Sequence, residues 1–151
     1  MPSGFDIESA FIRLREVMTA YPQAAMFQLA EDGYDSPFEQ LVACIISIRT
    51  YDEVSLPMSR QLFARANTAQ AMSELPAKEI ARLIAKSTFA DRKGEQILAI
   101  AQTIVQDHNG KLPCDETVML SFKGVGPKCA NLALGIACEQ PSISCASRYV
   151  P

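Results

Sequence analysis

The chain has 151 residues, 48% hydrophobic side chains and a formal net charge of −3, enough to bury one substantial core and at most a small satellite. No apolar run reaches membrane-span length and no signal-peptide pattern opens the chain, so a soluble cytoplasmic protein is the expectation. With no Trp and 7% aromatic residues, an exposed aromatic platform for stacking bases is not indicated.

Apolar residues at helical spacing recur along the chain, and no alternating strand pattern persists, which predicts an all-α fold. The first helix is expected from Phe5 to Tyr21, with Ile7, Phe11, Leu14, Val17 and Met18 on one face and Pro22 as its stop. Ser36 then supplies an N-cap, Pro37 the first helical position and Glu39 the third, the signature of a capping box. The helix that follows, Phe38 to Ile48, is apolar on nearly every face and is predicted to be the central, most buried one.

Asp52 is a candidate cap for a third helix through Val54, Met58, Leu62 and Phe63, with Pro57 expected to delay or kink its start. Short helices are expected at Thr68–Leu75 and Ala77–Lys86, divided by Pro76. A longer helix from about Asp91 carries Ile97, Leu98, Ile100, Ala101, Ile104 and Val105 to His108. Asn109-Gly110 closes it as a left-handed C-cap, with His108 placed for a contact with the helix dipole rather than for catalysis. Asp115 opens a further helix, and Pro127 to Ala137 forms the last. One core from roughly Ser36 to Cys138 follows.

Cysteines stand at Cys44, Cys114, Cys129, Cys138 and Cys145, an odd number without a Cys-x-x-Cys pair. Their apolar neighbours predict reduced core thiols. Charge gives no lead towards nucleic acid. Residues 1–83 carry seven Lys/Arg against eleven Asp/Glu, while residues 84–128 carry six (Lys86, Arg92, Lys93, Lys111, Lys123, Lys128) against five. This reads as a solvated mixed surface, not a basic stripe.

The chemistry-bearing stretch is Leu120-Ser121-Phe122-Lys123-Gly124-Val125-Gly126-Pro127-Lys128-Cys129-Ala130-Asn131. A helix runs into a Gly-x-Gly turn and an apolar helix leaves it. Glycines permit a tight turn and close approach of a large ligand. Pro127 suits a first helical position, and the helix start is a natural seat for phosphate. Lys128 follows, where its amine meets a nucleic-acid sugar; the alternative is a lysine that contacts only phosphate or solvent.

The pattern resembles the helix-hairpin-helix of DNA glycosylases, and the wider chain resembles the endonuclease III family of glycosylase/abasic-site lyases. Ser36-Pro37-Phe38-Glu39, Ile45-Ile46-Ser47, Asp52, Asn67-Thr68, His108-Asn109-Gly110, Leu112-Pro113 and Gly124-Val125-Gly126-x-Lys128-x-Ala130-Asn131 fall in the family's order. The resemblance covers about residues 36–144. It implies a two-lobed all-α fold: an N-terminal helix (1–24) belonging to the second lobe, a helical barrel (25–144) with the hairpin at about 115–138, and a non-family tail (145–151). The C-terminal helices of the second lobe are missing.

The resemblance also implies roles. Lys128 takes the place of the nucleophile, which attacks C1′, expels the base and forms a Schiff base before β-elimination. Lys123, Gly124, Val125 and Gly126 would grip the backbone beside the lesion. Arg49 stands where many members carry a glutamine that reaches into the duplex, either filling the vacated base position or binding phosphate. The implied partner is double-stranded DNA with a damaged base or abasic site, bound by a monomer at the nucleoid. Members often hold a [4Fe–4S] cluster, but its four-cysteine motif is absent here, so no cofactor and no metal site are expected.

The likeness breaks after Ser144. The family continues Pro-x-Ile-x-Val-Asp-x-His; this chain matches at Pro141 and Ile143, then places Ala146 at the aspartate and Arg148 at the histidine. Alanine has neither charge nor proton acceptor, so an impaired lyase is expected, with a non-catalytic DNA-binding module or an inactive fragment as alternatives. A shifted reading frame or an artificial junction from Cys145 would produce such a break, which intact mass together with the coding DNA decides.

Overall fold

The computed structural model describes residues 4–140; Pro141, Ile143, Cys145, Ala146 and Arg148, on which the expected break rests, lie outside them. Among the described residues there are nine α-helices and no strand. These are α1 (Ile7–Met18), α2 (Ala25–Glu31), α3 (Pro37–Ser47), α4 (Asp52–Arg65), α5 (Ala69–Ser73), α6 (Ala77–Leu83), α7 (Ala90–Asp107), α8 (Glu116–Ser121) and α9 (Pro127–Ala137).

Helix α3 is the centre. Ser36 Oγ accepts from Glu39 N–H at 3.2 Å and Glu39 Oε2 accepts from Ser36 N–H at 3.0 Å, closing the capping box. Every residue from Phe38 to Ile46 is buried. Two polar members of that run bond to neighbouring segments: Gln40 Nε2 donates to the Met26 and Tyr34 carbonyls, while Gln40 Oε1 is buried without a partner, and Glu39 Oε1 accepts from Asn67. Around α3 pack Leu29, Leu62, Met72, Ile80, Ile97, Ile104, Met119 and Leu134 as one core. Burial of such side chains contributes about 1.5–3 kcal/mol each, the main term opposing chain entropy.

Several expectations need correction. Helix α2 was not foreseen; it has no capping side chain at Ala24, and its first N–H donates instead to Asp52 Oδ2 at 3.0 Å. Asp52 is therefore not the N-cap of its own helix. Tyr51 holds that position, and Asp52 fastens another helix through tertiary contact. Pro57 neither delays nor splits α4, because it stands on the exposed face, where water satisfies the carbonyl it leaves unpaired.

The cysteine expectation also changes. Cys44 and Cys129 are buried free thiols, but Cys114 and Cys138 form a disulfide. The antiparallel hairpin of α8 and α9 brings the start of one and the end of the other together, with Cα atoms 5.9 Å apart. No residue of α1 is buried, and Phe11, Ile12, Leu14, Val17 and Met18 are more than half exposed.

Candidate nucleic-acid interface

The hairpin turn begins where Asp115 caps α8, its carboxylate accepting from Val118 N–H. Phe122 and Val125 are buried and anchor the turn in the core, and Val125 N–H donates to the Phe122 carbonyl. Val125 therefore offers a ligand neither its side chain nor its N–H. Gly124 has φ +84°, and a Cβ there would lie 2.6 Å from Gln96 Nε2, which donates to the Lys123 carbonyl. The backbone requires glycine at this position, and a side chain there would also displace Gln96.

Gly126 differs. Its φ is −105° and nothing lies within 4 Å of a built Cβ, so its missing side chain clears an approach rather than permitting the turn. It is the N-cap of α9 and has no side chain with which to cap it. Pro127 stands at N1, where its missing N–H costs little, and the helix dipole at this end favours an anion.

Gly124, Gly126 and exposed Lys128 form one wall of an open cleft of about 810 Å³. The opposite wall is the corner between α3 and α4, residues Ser47 to Tyr51, with Thr88 at its side. Arg49 and Lys128, separated by most of the chain, thus line one cavity. Lys123 is set apart: with Arg92, Gln96 and Thr103 it lines an adjoining groove of about 640 Å³ between α7 and the turn, and Gly124 belongs to both.

The Arg49 corner is unusual. Arg49 is left-handed at φ 55°, as is Phe89 at φ 59°, and the Arg49 guanidinium lies 5.6 Å from the Phe89 ring centroid. Tyr51 (83% exposed) and Phe89 (51%) flank the cleft. Low aromatic content does not keep exposed rings from this corner, where Tyr51 lines the cleft and Phe89 lies against Arg49. Composition counts residues and carries no positions.

Behind the corner sits Lys93. It was counted with the solvated basic residues, yet it is only 5% exposed. Its ammonium donates to the Ile46 carbonyl at 2.8 Å, the Ile48 carbonyl at 2.7 Å and Thr50 Oγ1 at 3.3 Å. Burial pulls its pKa down from 10.5 to about 8. The available signal was periodic: residue 93 lies four before Ile97 and seven before Ile100, on the buried face of α7. Beneath Lys128, Cys44 Sγ lies 2.7 Å from Cys129 Sγ, and this contact together with burial pushes the Cys44 thiol up.

A cubane iron–sulfur cluster needs four thiolates, and the described cysteines do not fit one. Cys114 and Cys138 are bonded to each other, Cys44 and Cys129 are core thiols, and no group of three or more His, Cys, Asp or Glu is gathered for a metal among the described residues. No described helix is long and apolar enough to cross a membrane.

Residues 42–127 match the HhH-GPD superfamily base excision DNA repair protein family. The chain is 30% identical to the endonuclease III of Haemophilus influenzae and of Escherichia coli K12, each over 129 residues, which is 85% of this chain and 61% of either relative. It is also similar to an endonuclease III trapped as a covalent intermediate with DNA (TM-score 0.70, 25% identity, 74% of this chain and 53% of that one). A non-covalent endonuclease III–DNA complex matches with the same score and identity over 74% of this chain and 52% of the other. The chain spans between half and two thirds of the proteins it matches. Among its described residues the chain is all-helical and carries the hairpin, and it belongs to the HhH-GPD base excision repair family, on its endonuclease III branch.

Proposed function

We propose that this chain binds duplex DNA at a damaged base or abasic site in the cleft between the Arg49 corner and the hairpin, with Lys128 as the nucleophile of a glycosylase/abasic-site lyase. The observation that carries the reading is that Lys128 and Arg49 line one cleft together with the start of α9. That start and Gly126 suit a phosphate beside the lesion, while Arg49 fills the space left by the extruded nucleotide. The Lys128 amine attacks C1′ and the C1′–N bond breaks, with the base leaving as a protonated species. Opening of the sugar ring at the C1′–O4′ bond, with the amine proton passing to O4′, then gives the Schiff base, and removal of a C2′ proton expels the 3′ phosphate. Lys128 is exposed where the cleft opens to DNA. The protein acts as a monomer at the nucleoid.

The second reading is a DNA-binding module whose chemistry is impaired. Ala146 supplies no carboxylate at the aspartate's place, and the exposed apolar face of α1 leaves the second lobe incomplete. Borohydride trapping on a duplex with one abasic site separates the readings. An adduct that Lys128→Ala abolishes supports the lyase. No adduct in the native sequence but a strong one in Ala146→Asp supports the impaired module; no adduct in either sinks the catalytic proposal.

A further inference from the structure

The end of α3 can be accounted for carbonyl by carbonyl. Cys44 O accepts from Ser47 Oγ, Ile45 O from Ile48 N–H, and Ser47 O from Thr50 N–H. Two carbonyls remain, those of Ile46 and Ile48; both accept from the Lys93 ammonium, and Ile48 O also accepts from Thr50 Oγ1 at 3.3 Å. A buried backbone acceptor without a donor is costly, so at Ile46 Lys93 is the local alternative to an unsatisfied carbonyl. Its charge also stands at the negative end of the α3 dipole. No carboxylate shares it: neither described ion pair, Arg60–Asp32 or Arg82–Glu79, includes Lys93.

The same ammonium reaches Thr50 Oγ1, which also accepts from Thr88 N–H, while Thr88 Oγ1 donates to the Arg49 carbonyl at 2.7 Å. Arg49 is thus bracketed on both sides by groups tied to α7 and the residues before it. A left-handed non-glycine conformation is strained and persists only where its surroundings over-determine it. These bonds are what over-determine it.

We infer that Lys93 is a positioning residue, whose buried ammonium ties off α3 and holds the Arg49 corner in the one conformation that presents Arg49 to the DNA cleft. The inference rests on the DNA-binding reading above. Lys93 touches no substrate; it acts through Arg49.

The test compares the native sequence with Lys93→Met, Arg49→Ala and the double variant. The readout is the ratio of Kd values for an undamaged duplex and a duplex with one tetrahydrofuran abasic analogue, with amide exchange of residues 46–51 measured in the free protein. Arg49→Ala is expected to lower the preference for the abasic duplex about tenfold, the size of one good cation–π or charged contact. Lys93→Met is expected to lower it as much, to speed exchange across the corner, and to add nothing in the Arg49→Ala background. Equal loss of affinity for both duplexes, unchanged exchange, or losses that multiply in the double variant would overturn the inference. Should Lys93→Met not fold, Thr50→Val removes the hydroxyl that Lys93 and Thr88 share without unpairing a carbonyl. A preference that Thr50→Val leaves intact equally overturns it. A native protein with no preference for the abasic duplex sinks the proposed function and this inference with it; a native preference that the Lys93 and Thr50 variants keep sinks this inference alone.

Discussion

Replacing Gly124 by alanine separates backbone strain from side-chain crowding at the hairpin turn. At φ +84° an alanine costs about 1–2 kcal/mol relative to glycine. Its Cβ would stand 2.6 Å from Gln96 Nε2 and 3.3 Å from Gln96 Cδ, so Gln96 must swing away. That movement breaks its 3.1 Å hydrogen bond to the Lys123 carbonyl, a loss of at most about 1 kcal/mol for an exposed bond. Gly124→Ala is therefore expected to destabilise by about 1–3 kcal/mol, which at typical slopes lowers a urea midpoint by about 1 M. Gln96→Ala alone should cost at most about 1 kcal/mol, and the double variant no more than Gly124→Ala, because the alanine has already cost that bond. Urea unfolding of all four proteins, followed by circular dichroism, measures the cycle. A Gly124→Ala cost below about 0.5 kcal/mol would refute the backbone argument; full additivity with Gln96→Ala would refute the crowding argument.

Other consequences follow from the same geometry. Gly94 lies where a Cβ would meet the Ala77 carbonyl at 2.8 Å and Ala81 Cβ at 3.1 Å, so Gly94→Ala should push α7 off α6 and cost about 1–3 kcal/mol in chemical denaturation; a neutral substitution would mean the two helices are not so closely packed. Because the Lys93 pKa is lowered in the fold, from 10.5 to about 8, the unfolded chain binds more protons between those values, and stability should rise with pH across that window. Lys93→Met should show a smaller rise over pH 7 to 10.5 in the same urea assay, and identical slopes would contradict the burial of an unpaired ammonium. Closing the 24-residue separation between Cys114 and Cys138 should be worth about 3 kcal/mol through the unfolded chain. A phosphine reductant should therefore lower the melting temperature of the native protein but not that of the Cys114→Ser/Cys138→Ser variant.

Legibility followed the range of the interactions. The capping box of Ser36 and Glu39 and the Asn109-Gly110 helix end (φ 53° and 80°) fall where the sequence places them. Each is a contact between residues a few positions apart. Helix α2 escaped notice because its first N–H is held by Asp52, 27 residues away, and Ala24 offers no cap to read. The Cys114–Cys138 bond escaped for the same reason: no spacing rule pairs cysteines 24 apart until a hairpin folds them together.

At the site the division is similar. The turn from Lys123 to Lys128 was legible because glycine, proline and lysine each carry a local conformational or chemical meaning in that order. That Gly124 alone needs a left-handed backbone, that Val125 turns inward, and that Lys123 faces a different groove were decided by how the turn sits on α7. By itself the amino-acid order determined most of the helical segments, α2 excepted, their apolar faces and which lysine stands in the first turn of α9, since these depend on torsions and on contacts within a turn or two of helix. Only tertiary structure brought Arg49 across from Lys128 and buried the Lys93 ammonium beneath it, because those relations are distances between segments some 45 to 80 residues apart. Packing a core around α3 sets those distances.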